Sequence, residues 1–202
     1  MELLIATGNP GKAREFREML GPERFVWRDL SEFSGEQAVA ETGQTFRANA
    51  CLKASGYALR HQTWTLADDS GLEVDVLGGR PGVYSARWAE MNQSGRGDAD
   101  NNATLLRQLA DVPDEKRTGR FVCVLALSDP QGRVILTARD TVEGTLLRSP
   151  RGNNGFGYDP LFLVAGTGMT TAELSSQEKH RISHRGKALA RLRELMRQAS
   201  LL

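Results

Sequence analysis

Apolar positions along the chain follow two rhythms, short continuous runs and spaced stripes, and the two alternate. "ELLIAT" (2–7) is a short apolar run that predicts a buried strand. "GNPG" (8–11) is turn chemistry, and "KAREFREML" (12–20) then spaces Phe16 and Met19 as a helix does. Strand, glycine turn and helix in that order open an α/β unit. "TFRANACLKASGYALRH" (45–61) predicts a second helix with Thr45 as N-cap and a buried stripe of Phe46, Ala50, Ala54, Tyr57 and Ala58. Asn49 and Lys53 lie four apart and flank that stripe, so they can look into a cleft. "TWTLA" (63–67) and "LEVDVL" (72–77) predict strands on either side of an acidic turn, and "GGRPGVYSARW" (78–88) a loop. "ADNNATLLRQL" (99–109) predicts a helix with Leu105, Leu106 and Leu109 inward. "RFVCVLALS" (120–128) and "RVILTARDTVEGTLL" (133–147) flank the turn "DPQG" and predict an antiparallel hairpin. "RGNNGFGYDPLFLV" (151–164) predicts a long loop running into a strand. Ser183 is the expected cap of a last helix that buries Leu189, Leu192, Leu195 and Met196. The sum is a mixed sheet with helices packed on it.

Composition narrows the classes without choosing among them. The chain has 202 residues, enough for one domain (1–202), in which the hairpin region could form a second lobe. Apolar residues make up 40% and charged residues 25%, close to the globular average. Lysine plus arginine minus acids is 26 − 25 = +1, so no global field drives binding to nucleic acid or to an anionic membrane. There is no apolar run of about 18 residues to span a bilayer. "MELLIATGN" has neither a basic region nor a cleavage pattern, so the expectation is a cytoplasmic protein without a signal peptide. Cys51 and Cys123 form no CxxC pair, which argues against a disulfide scaffold and a zinc site. With three histidines and no HxH or HExxH, a histidine metal site is disfavoured too.

Four stretches carry candidate chemistry. In "TGNPGK" a strand ends, the backbone turns through glycines and Lys12 opens a helix; turn amides and the helix dipole favour a phosphate there, with help from Thr7 and Asn9. The GxxxxGK[ST] spacing of a P-loop is absent, and on spacing alone a tight turn with a surface lysine is the plainer reading. In "ADDSG" two carboxylates, Asp68 and Asp69, would point to opposite sides if the strand persists, so they would do different jobs. One could reach a hard cation such as Mg²⁺, shared with Glu41 of "AETG"; a solvated Asx-type turn is the plain alternative. "GFGYDP" presents Phe156 and Tyr158 beside Asp159, which suits a heterocyclic base, or simply anchors a loop to the core. "EKHRISHRGKA" (178–188) collects Lys179, His184 and Arg185 with further basic groups. Cations in a helix's first turn oppose its dipole, which hints at a partner that offsets the misfit; a solvated polar segment is the alternative.

In this order, "TGNPGK", "ETGQTFRANACLKA", "ADDSGLEVDVLGGRPGVYSARW", "GFGYDPLF" and "SHRGKAL" resemble the inosine/xanthosine triphosphate pyrophosphatases, the purine nucleotide-sanitising enzymes, and most of all their bacterial branch. The resemblance runs from the first strand to the last helix. It implies an elongated, two-lobed α/β structure with a long mixed sheet flanked by helices and a nucleotide cleft between the lobes. It implies a cytoplasmic, Mg²⁺-dependent homodimer whose substrate is a small nucleotide, with no nucleic-acid or membrane partner. It further implies that dITP, ITP and XTP are hydrolysed to the monophosphate and pyrophosphate. Carried onto this chain, Thr7, Gly8, Asn9, Pro10, Gly11, Lys12 and Lys53 hold the phosphates, and Glu41 and Asp69 serve the metal. Asp69 is also the base, Ser70 contacts substrate, and Phe156, Gly157, Tyr158, Asp159, Lys179, His184 and Arg185 surround the purine. The stretch "GRGDADNN" (95–102) has no assignable role under the resemblance.

Overall fold

The computed structural model describes residues 2–20, 26–33 and 35–201. Its strands are β1 (Glu2–Ala6), β2 (Val26–Asp29), β3 (Trp64–Val74), β4 (Thr118–Ser128), β5 (Val134–Leu146) and β6 (Phe162–Val164). Its helices are α1 (Pro10–Leu20), α2 (Phe46–His61), α3 (Trp88–Met91), α4 (Gly97–Gln108), α5 (Ser176–Ile182) and α6 (His184–Gln198). The six strands form one sheet in the order β2-β1-β3-β4-β5-β6. β1 runs parallel to both β2 and β3, whereas β5 and β6 are antiparallel, so the sheet is mixed as the pattern predicts. β4 and β5 are neighbours joined by a tight turn in which Asp129 N donates to Arg133 O at 3.0 Å.

The described residues divide into two compact units, which share strands and are described here one at a time. The first comprises the chain through Asp69, Cys123–Asp140 and the residues from Arg185 onward. Its core joins Leu3, Ile5, Phe16, Leu66, Cys123, Leu125 and Leu127 to Ala188, Leu189, Leu192 and Met196 of α6. The predicted stripe of α2 is buried, and Asn49 and Lys53 are buried with it. Thr45 caps that helix: it is extended (φ −134°, ψ 152°) and its hydroxyl accepts from Ala48 N at 3.1 Å.

The second unit comprises Ser70–Val122 and Thr141–His184. Leu72, Val74, Leu105, Leu109, Phe121, Val142, Leu161 and Phe162 are central to its core. Arg117, only 2% exposed, clips this unit from inside. Its guanidinium donates to Leu146 O at 2.7 Å, to Leu147 O at 2.9 Å and to Leu109 O.

Two expectations are corrected. The acidic turn at "DDSG" does not exist: β3 runs unbroken through Asp68, Asp69, Ser70 and Gly71. Asp, Ser and Gly favour turns when solvated, but tertiary contacts override that preference here. Gly71 is required by close approach, because a Cβ there would strike Ser85 Oγ and Gly82 O. The second correction is a helix the pattern left unpredicted, α5, closed at its start by a capping box between Ser175 and Glu178. Ser183 then stands extended directly before α6, where a cap was expected.

Candidate active site

Parallel register brings together the candidate residues of the first unit. Ile5 and Ala6 of β1 lie level with Leu66 and Ala67 of β3. The turn that follows β1 therefore emerges beside the next two residues of β3, Asp68 and Asp69. The carboxyl end of a parallel strand is where such folds place ligands. Asn9 shapes the turn: its side-chain oxygen accepts from Lys12 N at 3.0 Å, and its own N–H donates to Thr7 Oγ1 at 3.2 Å. Gly8 is exposed, and the space around its Cα stays open when a Cβ is added. Neither packing nor a left-handed backbone angle demands glycine at position 8, and the exposed turn leaves room for close approach to its backbone.

The two acids have separate partners, as alternation along a strand requires. Asp68 is 2% exposed. Its Oδ1 lies 2.6 Å from Lys12 Nζ, and its Oδ2 accepts from Arg185 Nε at 3.3 Å, Arg185 Nη2 at 3.2 Å and Cys123 Sγ at 3.5 Å. Burial raises the pKa of this carboxyl, but Lys12, Arg185 and Lys53 outweigh it and hold the group well below the usual range. Asp69, 7% exposed, pairs with Lys53, whose Nζ stands 3.4 Å from its Oδ1 and 2.7 Å from Glu41 Oε2. Its Oδ2 is buried with no hydrogen-bond partner among the described residues. Burial, with Asp68 and Glu41 beside it, pushes Asp69 up to about 6 against the pull of Lys53 and Lys12. Asn49 secures the Glu41 segment, accepting from Gly43 N at 2.8 Å.

Arg185 was expected at the purine, and its charge in the first turn of α6 hinted at a partner. The structure supplies partners within the first unit, Asp68 and Glu15, on a side chain only 1% exposed. Burial lowers its pKa and these two carboxylates raise it further, so the guanidinium stays charged. Sequence reasoning missed Glu15; its place one turn after Lys12 on the same helix was the only hint.

The second unit holds the remaining predicted residues. Asp159, 3% exposed, accepts through Oδ2 from Phe156 N at 2.9 Å and from Lys179 Nζ at 2.6 Å. Lys179 Nζ also lies 5.0 Å from the centre of the half-buried Phe156 ring, within cation–π reach. The His184 ring stacks on Phe121, centroids 5.0 Å apart and planes 17° from parallel. Tyr158 belongs to the core instead: it is 4% exposed, and its hydroxyl donates to Ser85 O at 2.9 Å. Ser70 follows Asp69 on β3 and is half-buried.

One unit thus offers lysines, paired acids and an open turn suited to polyphosphate and a hard cation, and the other an aromatic ring with a Lys–Asp pair. The model of the Ham1 family matches residues 3–195. A relative from Exiguobacterium sibiricum, named dITP/XTP pyrophosphatase, is 49% identical over 192 residues, 95% of each chain. One of the same name from Bacillus subtilis (strain 168) is 46% identical over 195 residues, 96% of each chain. The solved HAM1 protein of Coxiella burnetii superposes with a TM-score of 0.85 at 38% identity, covering 98% of this chain and 99% of its own. The Staphylococcus aureus Ham1 protein gives 0.85 at 37% identity, covering 98% and 100%. With a mixed sheet of the same fold, and sequence likeness from β1 almost to the end of α6, the chain belongs to the Ham1 family.

Proposed function

We propose that the protein hydrolyses non-canonical purine nucleoside triphosphates (dITP, ITP and XTP) to the monophosphate and pyrophosphate, removing deaminated purines from the nucleotide pool. The observation that carries this reading is Asp69. A buried carboxylate with an unsatisfied oxygen, raised to about 6 and flanked by Lys53 and Lys12, is built to take a proton or a cation rather than to stabilise a fold.

In this reading Lys12, Lys53 and the turn from Thr7 to Gly11 hold the triphosphate. Asp69 orients a water and takes its proton as the water oxygen bonds to the α-phosphorus. The bond from that phosphorus to the bridging oxygen breaks, and the electron pair leaves on pyrophosphate. Asp68, tied to Lys12 and Arg185, fixes the position of Lys12 and so of the phosphates. The donor set fits magnesium: Glu41 and Asp69 give two hard oxygens, and such an ion completes its shell with phosphate and water. Among the described residues no group of three acids, histidines or cysteines forms a metal cage. When bound, Mg²⁺ would supply positive charge to the triphosphate oxygens.

Phe156 offers a face to the purine, and Lys179 and His184 offer donors to the 6-keto oxygen of hypoxanthine or xanthine. Adenine would set a 6-amino donor against them, and such a mismatch at a buried site discriminates strongly. The same reading takes the protein to be a cytoplasmic homodimer. Separately, no described helix is long and apolar enough to cross a membrane. The test is product separation after incubation with Mg²⁺ and, in turn, ITP, dITP, XTP, GTP and ATP. Monophosphate and pyrophosphate from the first three, far faster than from ATP, are expected. Orthophosphate with a diphosphate would show the wrong bond broken and would overturn the proposal.

A further inference from the structure

The stretch that the family motifs leave unexplained, 95–102, has a specific job in the second unit. Asp98, in the first turn of α4, accepts from Gly157 N at 2.7 Å through Oδ2. Asn102, one turn later on the same face, donates from Nδ2 to Gly157 O at 2.9 Å. One helix face therefore grips both main-chain polar groups of Gly157. That residue has φ +62°, and a Cβ there would meet nothing, so its glycine serves backbone conformation. On the other side of Phe156, Asp159 Oδ2 holds the Phe156 N–H at 2.9 Å. The ring thus projects from main chain pinned at two successive amides.

Asn102 holds its bond at a cost. Its Oδ1 is buried with no hydrogen-bond partner among the described residues. Native structures rarely tolerate such an atom, and where they do the reason is commonly functional. A helix whose only task was to pack would have no use for it.

We infer that Asp98 and Asn102 are positioning residues that lock the Gly157 main chain, so that Phe156, Asp159 and Lys179 meet the purine as a preset surface. The inference rests on the proposed activity. Its rival is that Asp98 merely complements the α4 dipole. Two substitutions separate them by crossing over. Asp98→Asn keeps an acceptor oxygen for Gly157 N–H and loses the charge. Asp98→Glu keeps the charge at the helix start and moves the oxygens by a methylene.

The experiment measures KM and kcat for ITP, competitive inhibition by inorganic tripolyphosphate (which has no base), and exchange of the Gly157 amide followed by NMR. For Asp98→Ala, Asn102→Ala and Asp98→Glu, KM should rise about tenfold, the worth of one hydrogen bond, while kcat stays within about threefold. Tripolyphosphate inhibition should be unchanged, and Gly157 exchange should quicken. Asp98→Asn should restore both KM and slow exchange. Rescue by Asp98→Glu but not by Asp98→Asn, or a parallel loss of tripolyphosphate affinity, would overturn the inference. Should the wild type fail to hydrolyse ITP, the functional proposal falls, and Gly157 exchange still decides whether the grip exists.

Discussion

Asp68 and Asp69 are adjacent acids, yet neutralising them should change stability in opposite directions. Asp68 is fully enclosed and serves two cations, Lys12 and Arg185. Asp68→Asn leaves both without their counter-charge, and breaking one side of a buried pair costs about 3–5 kcal/mol. Asp69 sits at about 6 against an ordinary 3.8, which corresponds to roughly 3 kcal/mol against the ionised form when fully developed. Asp69→Asn removes that penalty, so the metal-free protein should gain about 1–3 kcal/mol at pH 7.5. The pH dependence follows from the signs. A raised carboxyl binds its proton more tightly when folded, so the Asp69 penalty is absent below pH about 4 and grows until pH passes about 6. A depressed carboxyl does the reverse: the Asp68 contribution is present above pH about 4 and is lost as pH falls toward its low folded value. Urea unfolding of wild type and both variants in EDTA, at pH 4, 5.5 and 7.5, reads both effects. Pyrophosphate release with Mg²⁺ should meanwhile fall at least about 100-fold in Asp69→Asn. If that variant is destabilised by more than about 1 kcal/mol at pH 7.5, or Asp68→Asn is tolerated within that margin, the electrostatic account of the two acids is wrong.

Other substitutions test other links. Arg117→Met leaves carbonyls of Leu109, Leu146 and Leu147 without their buried donor; at about 1–3 kcal/mol for each group stranded, urea unfolding should show a loss of at least about 3 kcal/mol. Gly71→Ala should cost about 1–3 kcal/mol by forcing a methyl against Ser85 and Gly82, and an unchanged unfolding midpoint would mean β3 can move away from that turn. Gly8→Ala places its methyl in open space, so stability should hold within about 0.5 kcal/mol while KM for ITP rises about tenfold or more; equal KM would remove the turn from phosphate binding.

Much of the fold was legible because its signals are local. Periodicity marked α1, α2, α4 and α6, and the Thr45 cap and the 129–133 turn carry their own chemistry. The α5 start was legible too, since Ser175 and Glu178 have capping-box spacing, but the basic run after them drew attention to charge instead. The candidate site could be named from motifs whose residue types suit phosphate, metal and purine. Pairing could not be named. The acids of β3 read as a turn because their counter-ions come from positions 12, 53 and 185, remote in sequence, and only burial beside those cations makes a strand the better state. Arg185 read as a ligand-facing group for the same reason: its partners Glu15 and Asp68 are 170 and 117 residues away. The grip of Asp98 and Asn102 on Gly157 spans more than fifty residues and uses backbone groups, which no residue type announces. Sequence by itself determined the elements and the chemical inventory, because these depend on neighbours along the chain. Tertiary structure decided which charges neutralise one another and which oxygen is left unsatisfied, because Coulomb and desolvation energies depend on distance in space and on enclosure.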